Sequence, residues 1–219
     1  MKTNIHIHQL PVGHMQNFCY LIGDPSTGEG VVVDPGFEGP KILKAAHEAK
    51  IQIKLILNTH CHFDHTGANK DIKSATGAPI VIHREDAKYL KHFTPPPADK
   101  EMEDGELVEL GKIGFKFIHT PGHSPGSCII LVDGSVMTGD TLFVGSIGRC
   151  DLPGGSPEEM YQSLKTRVMP LPKESLIYPG HDYGPTPTST LGRELEENPY
   201  LLCPSLDAFI GMTTGGYGL

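Results

Sequence analysis

Within Asn58-Thr59-His60-Cys61-His62-Phe63-Asp64-His65-Thr66-Gly67, three histidines and an aspartate fall in six residues, directly behind the apolar run Ile53-Lys54-Leu55-Ile56-Leu57. That run is rich in branched side chains and reads as a buried strand. Imidazole and carboxylate are borderline-to-hard donors that suit zinc, iron or manganese, and ligand spacings of one and three residues let a loop wrap around one or two ions. The bland alternative is a polar turn with solvated histidines. A His-x-His-x-Asp-His run at the C-terminal end of a strand, with further ligand-type residues downstream, favours metal. Any fold for this chain must therefore bring several strand ends together.

The 219 residues suffice for one sizeable core, and we expect a single domain over 1–219. A net charge of −8 counts against a large phosphate-binding surface, and so against nucleic acid as a partner. The five cysteines, at 19, 61, 128, 150 and 203, contain no Cys-x-x-Cys pair and fit reduced thiols better than a disulfide framework. Met1 to His6 does not resemble a signal peptide, and no apolar stretch reaches the ~18 residues a membrane span needs. The expectation is a cytoplasmic protein with no membrane partner.

In order along the chain, residues 3–10, Phe18 to Ile22 and Val31 to Val33 read as an antiparallel meander closed by Asp34-Pro35-Gly36. His6 and His8 share a face of the first strand and read as surface histidines. Asp34 is either a turn former or the carboxylate that receives the second N–H of a metal-bound imidazole. A helix follows over 39–50, then the strand 53–57, a short helix over 66–76, a strand at 79–82 and a helix at 84–91. The polar stretch from Pro95 to Asp104 reads as loop. Strands resume at 107–110, 115–118, 129–132 and 135–137. Ser156-Pro157-Glu158-Glu159 is a capping box with Met160, Leu164 and Val168 behind it at helical spacing. A last strand at 176–178 and a final helix at 191–197 complete the reading. The tail from Gly211 to Leu219, with Gly215, Gly216 and Gly218, is either a flexible end or a dimer contact, so monomer and homodimer both stand. This near-duplicated order of strands, helix, strand and helix predicts a four-layered αββα sandwich of the α/β class, two mixed sheets with helices outside.

Three further segments place ligand-type residues just past strand ends: Thr120-Pro121-Gly122-His123-Ser124, Thr138-Gly139-Asp140-Thr141 and Pro179-Gly180-His181-Asp182. Each alone reads as structural; four such sites together do not. With all blocks present in order, the chain resembles the metallo-β-lactamase-fold superfamily. Thr138-Gly139-Asp140-Thr141-Leu142-Phe143 and Pro179-Gly180-His181-Asp182-Tyr183 are most similar to its glyoxalase II branch, in the short one-domain form.

The resemblance implies two divalent metal ions (zinc, iron or manganese), with His60, His62 and His123 on one, Asp64, His65 and His181 on the other, and Asp140 bridging. Such a pair, ~3.5–4 Å apart, lowers a shared water's pKa toward ~7 and polarises a carbonyl. The implied activity is hydrolysis of S-acyl or hydroxyacyl glutathione-type thioesters by a metal-bridging hydroxide that Asp64 orients as catalytic residue. Arg149 and Tyr183 match substrate-contacting positions of that branch. Cys61, between two ligands, is expected to face away from the ions. Gly148-Arg149-Cys150-Asp151 also resembles persulfide dioxygenases of the same fold, in which one iron would sit on His60, His123 and Asp140. The run Leu152 to Ser156 is more like the short hydrolases. The intact ligand set argues against a non-catalytic relative, and the acidic charge and absence of a large insertion between Asp140 and His181 argue against a nuclease.

Overall fold

The strand before His60 ends in the apolar run Leu55-Ile56-Leu57, which calls for burial at its C-terminal end, and the strand before His123 alternates apolar with polar residues, as a strand with one buried face does. In the computed structural model, which describes residues 5–214, Ile56 and Leu57 are buried while Lys54 and Lys116 are exposed. One sheet runs in the order β1 (His6–Val12), β2 (Asn17–Gly23), β3 (Glu29–Val33), β4 (Gln52–Leu57), β5 (Ile80–His83) and β6 (Lys100–Met102). Its first three strands are antiparallel and the rest parallel. The second sheet runs in the order β7 (Leu107–Leu110), β8 (Ile113–His119), β9 (Cys128–Val132), β10 (Ser135–Gly139), β11 (Leu176–Pro179) and β12 (Ser189–Thr190). It is antiparallel except where β10 pairs with β11.

Alternation assigns each strand residue to a layer. On β2, Phe18, Tyr20 and Ile22 enter the core between the sheets, against Phe115, Phe117 and Ile130 of the other sheet. Cys19 and Leu21 point the opposite way, onto α1 (Gly39–Glu48), α3 (Asn69–Thr76) and α4 (Arg84–Phe93) through Ile42, Ile72 and Leu90. On the far side, Ile129, Val136 and Ile177 pack beneath α5 (Pro157–Ser163), α6 (Leu191–Glu197) and α7 (Leu206–Thr214). The four expected layers are present, with two mixed sheets inside.

Several sequence expectations change. The helix expected over 66–76 is two pieces, α2 (Phe63–Thr66) and α3, broken at Gly67-Ala68, where the Ala68 amide leaves the helix to donate to the Pro35 carbonyl (2.9 Å). The stretch to Asp104 is not all loop: Lys100–Met102 adds β6 to β5 as a parallel edge strand. The strand at 176–178 and the helix at 191–197 are not the last of their kind, since β12 and α7 follow them. The helix opened by Ser156 widens into a π-helical turn at Leu164–Val168, which keeps Met160, Leu164 and Val168 all buried. The first strand begins at His6; residues 3 and 4, like Gly215, Gly216 and Gly218 of the tail, lie outside the described residues. The five cysteines are buried, and no disulfide joins any two of them. Among the described residues no helix is long and apolar enough to cross a membrane.

Main-chain hydrogen bonds sew the sheets together at one edge. The amide of Phe18 donates to the Gly180 carbonyl (2.8 Å) and that of Asp182 to Gln16 (2.8 Å), while Cys128 N–H donates to Thr59 O (2.9 Å). The same edge receives the C-terminal ends of β3, β4, β10 and β11, so it is where residues from both halves can meet. The layering sets different sensitivities: Phe117→Ala, between the sheets, is expected to cost about 3–5 kcal/mol, whereas Leu107→Ala on the half-exposed edge strand β7 should stay within about 0.5 kcal/mol. Midpoints of urea unfolding measure both.

Candidate metal centre

Each ligand-type residue follows a strand end and turns inward across the seam. Asn58 to His65 continue β4, the segment through His123 continues β8, Asp140 follows β10 and His181 follows β11. His60, His65, His123 and His181 are all 3% exposed or less, and Asp64 and Asp140 are buried with them. His60, His62 and His123 form one group whose rings meet edge to face at centroid distances of 4.6–4.8 Å. Asp64, His65 and His181 form a second. Asp140 stands between them: its Oδ2 lies 3.5 Å from His123 Nε2 and 3.4 Å from His181 Nε2, and its Oδ1 lies 3.3 Å from His65 Nε2. All seven residues expected to ligate are therefore assembled at one place.

The outward nitrogens fix which lone pairs point in. His65 Nδ1–H donates to Asp34 Oδ2 (3.1 Å), His123 Nδ1–H to the Arg149 carbonyl (2.7 Å) and His181 Nδ1–H to the Met15 carbonyl (2.8 Å). Asp34 also accepts the amide of Thr59 (2.8 Å) and its hydroxyl (2.6 Å), and the Thr59 oxygen in turn takes the Nδ1–H of His60 (3.1 Å). One carboxylate thus orients two imidazoles, settling Asp34 as more than a turn former. It does so from a left-handed backbone with φ of 50°, a conformation aspartate tolerates better than most residues. Four histidines present Nε2 inward; His62 alone presents Nδ1, 2.8 Å from His123 Nε2.

The arrangement asks for positive charge. His65 Nε2 and His181 Nε2 face each other at 3.1 Å with both Nδ1 atoms already donating, so the contact needs a proton or a cation between them. The buried atoms His60 Nε2 and Asp140 Oδ1 have no hydrogen-bond partner. Burial, reinforced by the neighbouring charge of His65, drives the His60 imidazole well below its ordinary range, toward the neutral ligand form. Burial alone would raise the Asp64 carboxyl, but His65, His181 and Asn17 hold it well below the usual carboxylate range. His181 is lifted to about 9 because the Asp140 and Asp64 carboxylates outweigh its burial. Orphaned acceptors, the neutral imidazole of His60, ionised carboxylates, and two further imidazoles that those carboxylates draw toward positive charge meet at one point, a donor set that fits divalent cations.

Close approach explains two glycines of the ligand blocks. A Cβ on Gly180 would come within 2.4 Å of Asp140 Oδ1, and one on Gly139 within 2.3 Å of Thr59 Oγ1, at a backbone φ of 48°. Cys61 joins the helix-covered core on the outer face of the first sheet, where burial pushes its thiol up, so it faces away as expected and is no thiolate. Tyr183 stacks on His181 (4.6 Å between centroids, 13° between planes) and donates its hydroxyl to Met15 O (3.1 Å), the carbonyl that also holds His181. Arg149 lies close through its main chain, while its exposed guanidinium pairs with both carboxylate oxygens of Asp151 (2.9 and 2.8 Å). His6 is exposed and takes no part, as expected of a surface residue.

Asn17 escaped sequence reasoning. It is 1% exposed, donates Nδ2–H to Asp64 Oδ2 (2.9 Å) and to the Asp64 carbonyl (3.1 Å), and bridges to His181 across the seam. Its one visible signal is an amide at the head of the otherwise apolar strand Phe18-Cys19-Tyr20-Leu21-Ile22.

Residues 12–181 match the metallo-beta-lactamase superfamily. The chain is 32% identical over 213 residues to hydroxyacylglutathione hydrolase GloC of Haemophilus influenzae, covering 90% of this chain and 98% of that one. It is 33% identical over 188 residues to the mitochondrial persulfide dioxygenase ETHE1 of Homo sapiens, covering 84% and 71%. The solved structure of TTHA1623 in a di-iron-bound form matches with a TM-score of 0.75 at 34% identity, over 89% of this chain and 100% of that one. Fold, strand-end ligand blocks and relatives agree: the chain belongs to the metallo-β-lactamase superfamily, in its short glyoxalase II-like branch.

Proposed function

We propose that this chain, acting as one domain over 1–219, is a dinuclear metal-dependent thioesterase that hydrolyses S-acyl, hydroxyacyl-type thioesters of glutathione or a similar thiol. The observation that carries the reading is the second group: Asp64, His65 and His181 converge as closely as His60, His62 and His123 do, with Asp140 reaching both. The di-iron neighbour and the hydroxyacylglutathione hydrolase relative support it. His60, His62 and His123 would hold one cation and Asp64, His65 and His181 the other, with Asp140 shared. Zinc, iron and manganese all suit this donor set. When bound, such cations lower the pKa of water and polarise a substrate carbonyl.

The chain's own residues supply the rest. Asp64, whose Oδ2 takes the Asn17 N–H beside His65 and His181, orients the attacking water, and its depressed carboxyl suits accepting a hydrogen bond more than storing a proton. Water adds to the thioester carbonyl, the carbon–sulfur bond breaks, and the thiol leaves with the acid as second product. Cys61 is not a nucleophile in this scheme, being buried away from the site. Tyr183, nearly half exposed beside His181, offers its ring to the substrate. Arg149 meets a substrate carboxylate by exchanging Asp151, because an exposed pair of this kind contributes only about 0–1 kcal/mol. Five buried cysteines with no disulfide between them suit a reducing cytoplasm.

The second reading, favoured by the likeness to a persulfide dioxygenase, places one iron on His60, His123 and Asp140. Metal content, S-lactoylglutathione hydrolysis and oxygen uptake with glutathione persulfide separate the two. Near two ions per chain with hydrolysis that Asp140→Ala abolishes is the expected result; oxygen uptake with one iron and no thioester turnover would overturn it. Asp34→Asn should weaken metal binding or activity by about 10–100-fold, as loss of an outer partner of ligating imidazoles typically does. Arg149→Ala should raise KM for a glutathione thioester by about tenfold, the scale of one charge-assisted hydrogen bond. The same change should leave the KM for an uncharged N-acetylcysteamine thioester where it was.

A further inference from the structure

Asp86 belongs to none of the ligand segments. It sits in the first turn of α4, on the helix-covered outer face of the first sheet, and is fully buried. Its Oδ2 accepts the amide of Cys61 (2.8 Å) and the hydroxyl of Ser124 (2.7 Å), and its Oδ1 accepts the amide of Gly126 (2.6 Å). Cys61 is the residue between His60 and His62, and Ser124 follows His123. One carboxylate therefore grips both loops that furnish the first ligand group, from behind, without touching a ligand side chain.

The contact is built rather than incidental. Ser127 Oγ accepts the Ser124 amide (3.0 Å) and lies 2.7 Å from Ser124 Oγ, which directs the Ser124 proton toward Asp86. Gly126 has no room for a side chain: a Cβ would come within 2.4 Å of the Asp86 nitrogen. A buried carboxylate is costly unless donors fill its lone pairs, and here three donors and the N-terminal turn of a helix do so. The second ligand group is held by different residues, Asn17 on Asp64, Asp34 on His65 and the Met15 carbonyl on His181.

We infer that Asp86 is the positioning residue of the His60–His62–His123 group: by tying the amide between two ligands to the hydroxyl beside the third, it sets their separation and hence the metal affinity of that group alone. The inference rests on the two groups being metal sites and is independent of the substrate. A merely structural carboxylate would lower stability and spare affinity, or weaken both groups together.

The test is a pair of mutant cycles on apo-protein, with Zn²⁺ affinity read by competition with a chromophoric chelator. Asp86→Asn, which sets an amide N–H against a donor it cannot satisfy, is introduced into His181→Ala, where the first group remains intact, and into His123→Ala, where it is broken. A loss of about 10–100-fold in the first background and none in the second is the expected result. Equal losses in both backgrounds, or no loss in the first, would overturn the inference. Ser124→Ala, which removes a single bond on the His123 side, should act in the same direction by a smaller factor; it carries the same criterion if Asp86→Asn does not fold. Ile72→Val, a core change in the layer α4 packs on, should lower Tm and leave affinity in both backgrounds unmoved. Wild-type protein that binds no Zn²⁺ would overturn the metal reading itself, and the inference with it.

Discussion

Lone pairs buried without enough protons to fill them are the constraint on which the rest of this structure depends. Imidazole nitrogens and carboxylate oxygens meet at one edge of the sandwich, and the outward N–H groups of His65, His123 and His181 are already committed. Water cannot relieve such a centre cheaply at this burial, and the protons that the carboxylates draw onto His65 and His181 fill only part of it. A cation resolves it. The surrounding polar shell, Asp34, Thr59, Asn17 and the Met15 and Arg149 carbonyls, then reads as the apparatus that keeps each donor aimed at one point.

The scaffold meets this demand through its layering. Because β2, β3 and β10 are buried along nearly their whole length, the polar loops at the sandwich edge leave the core covered, and the parallel strands put those loops on the same edge. The main-chain bonds from Phe18 to Gly180 and from Cys128 to Thr59 make the relative position of the two sheets a property of the backbone, beyond the reach of any one side chain.

The layered fold and all seven ligand-type residues were legible in the sequence because their signals are local. Branched apolar runs gave the strands, and each ligand-type residue stood a few positions past one. What was not legible depends on distant chain. Asn17 and Asp86 lie in unremarkable local contexts, and their partners are 25 to 47 residues away. β6 carries Lys100 and Glu101, exposed residues whose strand pairing comes from β5 alone. β12 is two residues long, below any period. The break between α2 and α3 comes with the Ala68 amide donating to Pro35 across the fold. Arg149 shows the converse: its side chain was the visible feature, yet its carbonyl is what holds His123.

The distribution of donors across the seam has a further consequence. Each group takes two members from the first sheet's loops and one from the second's: His60 and His62 with His123, Asp64 and His65 with His181. An ion in either group would be a staple between the two halves of the chain, and its binding free energy would add directly to theirs. By mass action, free metal at a hundred times its dissociation constant contributes about 2.7 kcal/mol per site. The lifetime of such a protein in a cell would then follow the size of the metal pool, with starvation loosening the sandwich along the same edge at which it works.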